Sequence, residues 1–162
     1  MTPNKPMKNL FLILALTICF DCFSQQTEET EIAAVETVVN QFFESLEKQD
    51  TVLLKEVAFK EGQIWTMNNT VSPARHRMRF FKDDLKSFNS KNSYHEEAYS
   101  MEVKIHEGIA MAWVPYEFRL NGAFSHCGVD VFTLVKKEEK WKIINLSYSI
   151  DKEGCDELKA LK

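Results

Sequence analysis

Hydrophobic residues beyond position 30 recur at intervals of three and four, which is the spacing of one face of an α-helix. This pattern runs from Glu31 to Gln49 and predicts a first amphipathic helix. Asp50 precedes a second apolar cluster at 52–57, where its carboxylate can accept hydrogen bonds from the free amides of a first helical turn. We therefore predict a second, short helix that ends before Gly62. The apolar stripe of the first helix consists of Ile32, Val35, Val39, Phe42, Phe43 and Leu46.

The segment between residues 63 and 88 combines an extended stretch with a helical pattern. Residues 63–67 predict a short strand, and the polar residues 68–70 predict a turn after it. Ser72-Pro73 is typical of a helix start, because serine caps free amides and proline has the φ of a first helical residue. Apolar residues then follow at steps of four and three as far as Phe88, so the pattern predicts a third helix.

From Ser93 onward the chain changes to long extended segments separated by turn residues. Four strands are predicted, at 94–106, 109–120, 123–136 and 140–151. Asn121-Gly122 is a strong hairpin signal, because both central residues of a two-residue turn need a positive φ. Three helices and one strand followed by a four-stranded antiparallel meander give an α+β fold, with the helices on one side of the sheet.

The hairpin turns also predict which side chains share a face of the meander. With Asn121-Gly122 as the turn, Trp113 is expected opposite Asp130, and Glu117 opposite His126. One face then mixes aromatic and polar side chains, namely Met111, Trp113, Glu117, His126, Asp130, Phe132, Asn145, Ser147 and Ser149. The other is almost wholly apolar, with Ala112, Val114, Tyr116, Val129, Val131, Ile144, Leu146, Tyr148 and Ile150. We expect the helices to cover the mixed face and leave a partly polar cavity, while the apolar face packs on a second copy as a homodimer.

The first 24 residues have the organisation of a secretory signal peptide. Lys5 and Lys8 precede an apolar run from Leu10 to Phe20, which is shorter than the roughly 20 residues of a membrane span. We expect cleavage after Ser24 and a periplasmic or secreted protein that is free of the membrane. The rest of the chain divides into a flexible leader at 25–30, one domain at 31–155 and a C-terminal tail at 156–162.

Composition and cysteine content narrow the class of protein further. A chain of 162 residues with 44% hydrophobic residues is long enough for one domain with a substantial core. The formal net charge of −4 argues against nucleic acid as a partner, because such binding depends on neutralising phosphates. Cys127 and Cys155 are the only cysteines beyond the signal peptide. They either form a disulfide or remain as a buried strand residue and a free thiol.

The order of helix, short helix, strand, helix and curved sheet resembles the nuclear-transport-factor-2-like (SnoaL-like) superfamily. The segments that carry the resemblance are 112–118 (AWVPYEF), Asn121-Gly122, 125–136 (SHCGVDVFTLVK) and 141–143 (WKI). They are similar to exported bacterial proteins of the nuclear transport factor 2 or lumazine-binding-like families. The resemblance implies an α+β cone-shaped barrel of a curved antiparallel sheet with three helices packed on its concave face. It is silent on the substrate, because the superfamily includes isomerases, dehydratases, cyclases and binding proteins.

Within this superfamily the chemistry of ketosteroid isomerase offers the nearest comparison. In that enzyme an Asp-x-Phe strand places a protonated carboxylic acid in an apolar pocket, and Asp130-Val131-Phe132 matches this placement. The first helix carries Phe42 and Phe43 where the enzyme has its oxyanion-binding tyrosine. No carboxylate base stands near Trp65 and Met67.

Three functional hypotheses follow for the predicted cavity. The first is a protein that binds a small apolar or aromatic ligand through Trp65, Met111, Trp113, Glu117, Phe132, Asn145 and Ser147. The second is a cofactor-free isomerase, dehydratase or cyclase that uses Asp130 and His126. The alternative for these two residues is that they only make structural polar contacts in the cavity wall. The third is a protein-interaction module. The sequence has no metal-ligand spacing of His or Cys and no phosphate-binding glycine loop, so neither a metal nor a cofactor is expected.

Overall fold

The computed structural model describes residues 8–88 and 91–161, except for the side chains of residues 8–27 and of Ser87. The first half of the chain forms α1 (Lys8–Lys48), α2 (Thr51–Val57), β1 (Ala58–Asn68), β2 (Arg75–Phe80) and α3 (Phe81–Ser87). The second half forms β3 (Tyr94–Ala98), β4 (Glu102–His106), β5 (Ile109–Leu120), β6 (Ala123–Lys137), β7 (Lys140–Ile150) and α4 (Cys155–Lys159).

In residues 8–88 and 91–161, seven strands form one sheet in the order β2-β1-β7-β6-β5-β3, and β4 also pairs with β5. Strand β1 runs parallel to β7, and the other pairs are antiparallel. The prediction of an α+β fold with an antiparallel meander is confirmed, although the curved sheet does not close into a barrel. The predicted strand at 94–106 is divided, because residues 99–101 leave the ladder between β3 and β4.

The first two helices follow their local signals. The predicted stripe of α1 enters the core, where Val35 and Val39 are fully buried and the Phe42 ring meets that of Phe132 at 5.4 Å between centroids. Asp50 caps α2, since its Oδ1 accepts hydrogen bonds from the backbone amides of Val52 and Leu53 at 2.8 and 3.0 Å.

Helix α1 begins upstream of the predicted start at Glu31, so residues 25–30 are helical and not a separate leader. The predicted cleavage point after Ser24 lies among residues whose side chains are outside the description, and residues 1–7 lie outside it altogether. Within the described part of the chain, none of the helices combines the length and apolar character needed to cross a membrane.

The first half of the predicted third helix was wrong. Residues 75–80 form β2, which pairs antiparallel with β1, and the helix begins only at Phe81. The edge of β1 supplies partners for the β2 backbone, and this tertiary pairing overrides the local helical spacing. The later apolar positions do form a helix, with Phe81 buried against Phe42 at 6.0 Å between ring centroids.

The predicted register of the meander was wrong by one residue over most of its length. The Asn121-Gly122 turn pairs Leu120 with Ala123 as predicted, but a bulge at Phe118/Arg119 then shifts β5 against β6. A second bulge at Thr133/Leu134 shifts β6 against β7. Because side chains alternate between the two faces of a sheet, each shift places the side chains of β5 or β7 on the face opposite to the predicted one.

A disulfide joins Cys127 on β6 to Cys155 at the start of α4, with 5.7 Å between the Cα atoms. This bond holds α4, which begins at the last residue of the predicted domain and continues into the predicted tail at 156–162, against the outer face of the sheet. There Lys159 donates a hydrogen bond to the buried Glu117 at 3.1 Å.

Candidate functional site

Helices α1 and α3 leave a cavity of about 260 Å³ above the concave face of the sheet. Its apolar and aromatic lining comes from Phe42, Leu46, Phe88, Tyr94, Tyr116, Phe118, Leu146 and Tyr148. Its charged or basic lining comes from Arg79, Asp84, Glu96, His126 and Asp130. An apolar pocket with a few converging polar groups is the usual form of a small-molecule site.

Asp130 is the most buried of the charged or basic side chains that line the cavity. It lies in the middle of β6 between Val114 and Tyr148 of the adjoining strands, and only 1% of its surface is exposed. One carboxyl oxygen, Oδ2, is buried without a hydrogen-bond partner among the described residues. The side chain also interacts by a hydrogen bond with Glu96, which reaches the cavity from β3.

The two carboxyl groups influence each other's protonation. Burial raises the pKa of Asp130 well above its usual range, and the negative charge of Glu96 raises it further. Burial also raises the pKa of Glu96, although its hydrogen bond to Asp130 opposes this change. Two adjacent buried carboxyl groups do not readily ionise together, so we infer that the pair retains a shared proton near neutral pH.

Arg79 forms the opposite charged part of the cavity. Its Nε and one terminal nitrogen donate to the two carboxylate oxygens of Asp84 at 2.7 and 3.1 Å. Its other terminal nitrogen lies 3.3 Å from both Thr66 Oγ1 and the Tyr148 hydroxyl. The guanidinium carbon is 5.8 Å from the centre of the Tyr148 ring. This two-point pairing orients Arg79 and largely neutralises its charge.

His126 lies in the cavity wall, four residues before Asp130 on β6. Its ring stacks on Phe118 at 4.9 Å between centroids and meets Tyr116 edge-on at 5.8 Å. Burial lowers the pKa of His126, an effect that Asp151 partly opposes. Four residues along a strand correspond to about 13 Å, so His126 and Asp130 do not form a direct acid–base dyad.

The structure places most of the predicted ligand-binding residues on the opposite face of the sheet. Asp130, His126 and Phe132 face the helices as predicted, but Phe132 is packed into the core and does not line the cavity. The predicted placement of the others in the cavity was wrong, because the two bulges turn β5 and β7 over relative to β6. These outer-face residues are Trp65, Met111, Trp113, Glu117, Asn145 and Ser147.

The predicted apolar face changes place in the same way. Ala112, Val114 and Tyr116 are buried on the concave side, so they are not available to a second copy of the chain. The exposed outer face instead has a shallow groove that includes Trp65 and Trp113, which are 39% and 41% exposed.

Glu96 and Arg79 were not recognised from the sequence. Glu96 stands in an alternating strand and faces the same side as Tyr94, but its partner Asp130 is 34 positions away. Arg79 belongs to the segment predicted as helix, and in a helix it would not share a face with the residues of the sheet. If residues 75–80 are taken as a strand, the alternation of side chains places Arg79 and Arg77 on one face and Met78 on the other. Among the described residues, no cluster of three or more His, Cys, Asp or Glu side chains could hold a metal ion.

Comparison with known proteins places this geometry in a family. Residues 30–149 match the family model described as "Putative lumazine-binding". The chain belongs to this lumazine-binding-like family. A search of curated proteins gave no match.

Solved structures confirm the nuclear-transport-factor-2-like fold of this family member. A conserved protein from Planctomyces limnophilus is 15% identical with a TM-score of 0.64, over 75% of this chain and 97% of that one. An NTF2-like protein of unknown function from Shewanella baltica is 15% identical with a TM-score of 0.57, over 74% and 92%. A structure titled "putative dehydratase from the NTF2-like family", from Streptomyces avermitilis, is 14% identical with a TM-score of 0.58, over 76% and 97%. At these identities the similarity shows the fold alone.

Proposed function

We propose that the protein binds a small, flat, mostly apolar ligand in the cavity between the helices and the sheet. The observation that carries the proposal is the buried Asp130 carboxyl, whose Oδ2 has no hydrogen-bond donor among the described residues apart from the proton that the side chain shares with Glu96. An unpaired buried polar atom lowers stability, and a ligand group that bonds to it offsets that loss. The family description supports the proposal, because lumazine is a flat two-ring heterocycle with hydrogen-bonding edges.

The test is calorimetric titration of the protein with lumazine, using a variant in which the cavity is filled. Leu46 lines the cavity from α1 and is only partly buried, so Leu46→Trp places an indole in the ligand's space. Val52→Trp is the matched control, since Val52 is 64% exposed on α2 and does not line the cavity. We expect lumazine to bind the parent chain and the control equally, and the Leu46→Trp variant at least about tenfold more weakly.

The outer-face groove provides the contrasting result. If the ligand binds there, the indole NMR signals of Trp65 and Trp113 will shift on titration, and Leu46→Trp will leave the affinity unchanged. That outcome contradicts the cavity as the binding site.

A second candidate function is proton-transfer catalysis on the bound molecule. The observation that favours it is the Glu96–Asp130 pair, because carboxyl groups with displaced pKa values can act as acid and base near neutral pH. In this version of the isomerase, dehydratase or cyclase hypothesis, His126 contacts a distant part of the substrate. The Streptomyces avermitilis protein titled a dehydratase suggests the reactions to assay first. Asp130→Asn should abolish turnover in a folded chain, and full activity of that variant contradicts catalysis by Asp130.

We further propose that the protein is exported and forms a homodimer through the outer face of the sheet. The Cys127–Cys155 disulfide supports export, because disulfides persist in oxidising compartments. The outer face exposes four large apolar side chains, each between 38% and 44% exposed, namely Trp65, Met67, Met78 and Trp113. Such a group of exposed apolar side chains is typical of an interaction surface. Trp113→Glu should yield a folded monomer in sedimentation, whereas a parent chain that is already monomeric contradicts the dimer.

A further inference from the structure

We propose that the cavity selects an organic cation, that is, a flat ligand whose N–H groups share a positive charge and bond to Asp130 and Glu96. An amidinium or a protonated amino-substituted heterocycle has this chemistry. The inference rests on the proposed function, because it assumes that the cavity binds a small molecule, and it adds the charge of that molecule.

The first argument is the balance of charge in the cavity. Its charged side chains are Arg79 from β2, Asp84 from α3, Glu96 from β3 and Asp130 from β6. Arg79 is paired with Asp84 through two hydrogen bonds, so these two charges largely cancel. Burial lowers the pKa of His126 and so disfavours its cationic form. Two acidic groups therefore remain, and no cation among the described lining residues balances them.

The second argument is the hydrogen-bonding capacity left at the inner end. Asp130 is 1% exposed, and its Oδ2 has no partner in the described structure. Once the shared proton leaves the pair, both carboxylates act only as acceptors. A charged N–H edge supplies the matching donors, and hydrogen bonds between ionised groups are about twice as strong as neutral ones.

The third argument is the aromatic lining. Phe88, Tyr94 and Phe118 contribute rings to the cavity, along with Tyr116 and Tyr148. The faces of aromatic rings carry partial negative charge and attract cations, most strongly where water is excluded. The protein's own structure illustrates this contact, because the flat guanidinium of Arg79 lies 5.8 Å from the centre of the Tyr148 ring.

The volume of about 260 Å³ limits the ligand to a small molecule. It lies below the roughly 300 Å³ at which pockets for drug-sized molecules begin. One or two fused rings with a cationic edge satisfy the volume, the aromatic walls and the two acids together.

The test uses three probes of the same shape and different charge. Benzamidine is a cation, benzamide is neutral and benzoate is an anion, so differences in affinity report charge and donors at one edge. We expect benzamidine to bind at least about tenfold more tightly than benzamide, and benzoate not to bind measurably. Titration in two buffers of different protonation enthalpy should show that benzamidine binding releases protons, because the cation favours the fully ionised pair. The affinity for benzamidine should accordingly rise between pH 5 and pH 7.

Variants assign the effect to the carboxyl pair. Glu96→Gln and Asp130→Asn should each reduce the preference for benzamidine over benzamide and reduce the proton release. Glu97→Gln is the matched control, since Glu97 is the next residue on β3 and is exposed on the opposite face. It should behave as the parent chain does. If circular dichroism shows that Asp130→Asn does not fold, Glu96→Gln decides the result alone.

The outcomes separate this inference from the proposed function. If benzamide or lumazine binds as tightly as benzamidine, with binding lost in Leu46→Trp, the cavity is a ligand site and the cationic preference is wrong. Proton uptake on benzamidine binding also overturns the preference. If neither lumazine nor any of the three probes binds the parent chain, both proposals fail.

Discussion

The buried carboxyl pair makes a specific prediction about how stability depends on pH. Glu96 has an ordinary pKa of 4.5 and a pKa raised to about 7 in the folded chain, with burial as the main cause. Between these values the folded state retains a proton that the unfolded state has released. The contribution of Glu96 to the free energy of unfolding is therefore fully present below pH 4.5 and is lost as the pH rises through 7.

The size of the effect follows from the pKa difference. Each unit corresponds to about 1.4 kcal/mol, so the change from 4.5 to about 7 amounts to about 3 kcal/mol for Glu96. Asp130 shifts in the same direction, also mainly through burial, and adds to the loss. For a domain of this size, a few kcal/mol is a large part of the total stability.

Other groups also titrate in or near this pH range. The contribution of Glu96 is therefore obtained by comparing the pH dependence of stability in the parent chain with that in a variant. His126 has the opposite sign, since burial lowers its pKa and its protonation costs stability as the pH falls below 6.5. Glu31 and Glu117 have pKa values below 4.5 and act only in more acidic solution. Comparing the parent chain with Glu96→Gln cancels these contributions.

The assay is urea unfolding of the oxidised parent chain, Glu96→Gln and Glu97→Gln at pH 5 and pH 8. The parent chain should lose about 2 to 3 kcal/mol more than Glu96→Gln between these two conditions, somewhat less than the full shift because the unfolded glutamate is already largely ionised at pH 5. The exposed Glu97→Gln control should follow the parent chain. Equal pH dependence in the parent chain and Glu96→Gln would refute the burial argument for the pair.

Three further predictions concern the parts that position the site. Arg79→Met removes the two hydrogen bonds that Arg79 donates to the mostly buried Asp84 carboxylate, and urea unfolding should show a loss of about 3 kcal/mol; a loss near zero would contradict a stabilising role for these bonds. Cys155→Ser removes a disulfide between residues 28 positions apart, so thermal unfolding should report a loss of about 3 kcal/mol. In the parent chain without residues 1–24, thiol titration of the unfolded, unreduced protein should find no free thiol. Gly128→Ala brings a Cβ to 2.2 Å from the Ser149 carbonyl oxygen, which should cost about 3 kcal/mol by the same measurement, and an unchanged midpoint would contradict the close strand approach.

Elements with strictly local signals could be predicted from the sequence. The stripe of α1 needed only the three-and-four spacing, and Asp50 needed only the amides that follow it. Asn121-Gly122 adopts φ values of 54° and 79°, as its hairpin signal requires. The second tight turn uses Glu138 and Glu139 at φ 51° and 61°, although glutamate is not a typical residue for this conformation.

Elements that depend on distant partners could not be predicted in this way. Residues 75–80 have helical spacing but find backbone partners on β1, which lies outside any local window. The two bulges have no marker in the sequence comparable to Asn-Gly, yet each exchanges the faces of a strand. The prediction that His126 and Asp130 of β6 point toward the helices was correct. The two bulges change how β5 and β7 are aligned with β6, and they leave these two β6 residues on one face.

The sequence by itself determined the α+β class, the superfamily and the central carboxyl, because each depends on periodicity, turn chemistry or a short segment. The tertiary structure decided the site around that carboxyl. Glu96 and Arg79 reach the cavity only after β3 and β2 take their places in the sheet, at the two sides of the concave face. Which side chains meet in a cavity depends on strand order and register, and a displacement of one residue reverses the face on which each side chain lies.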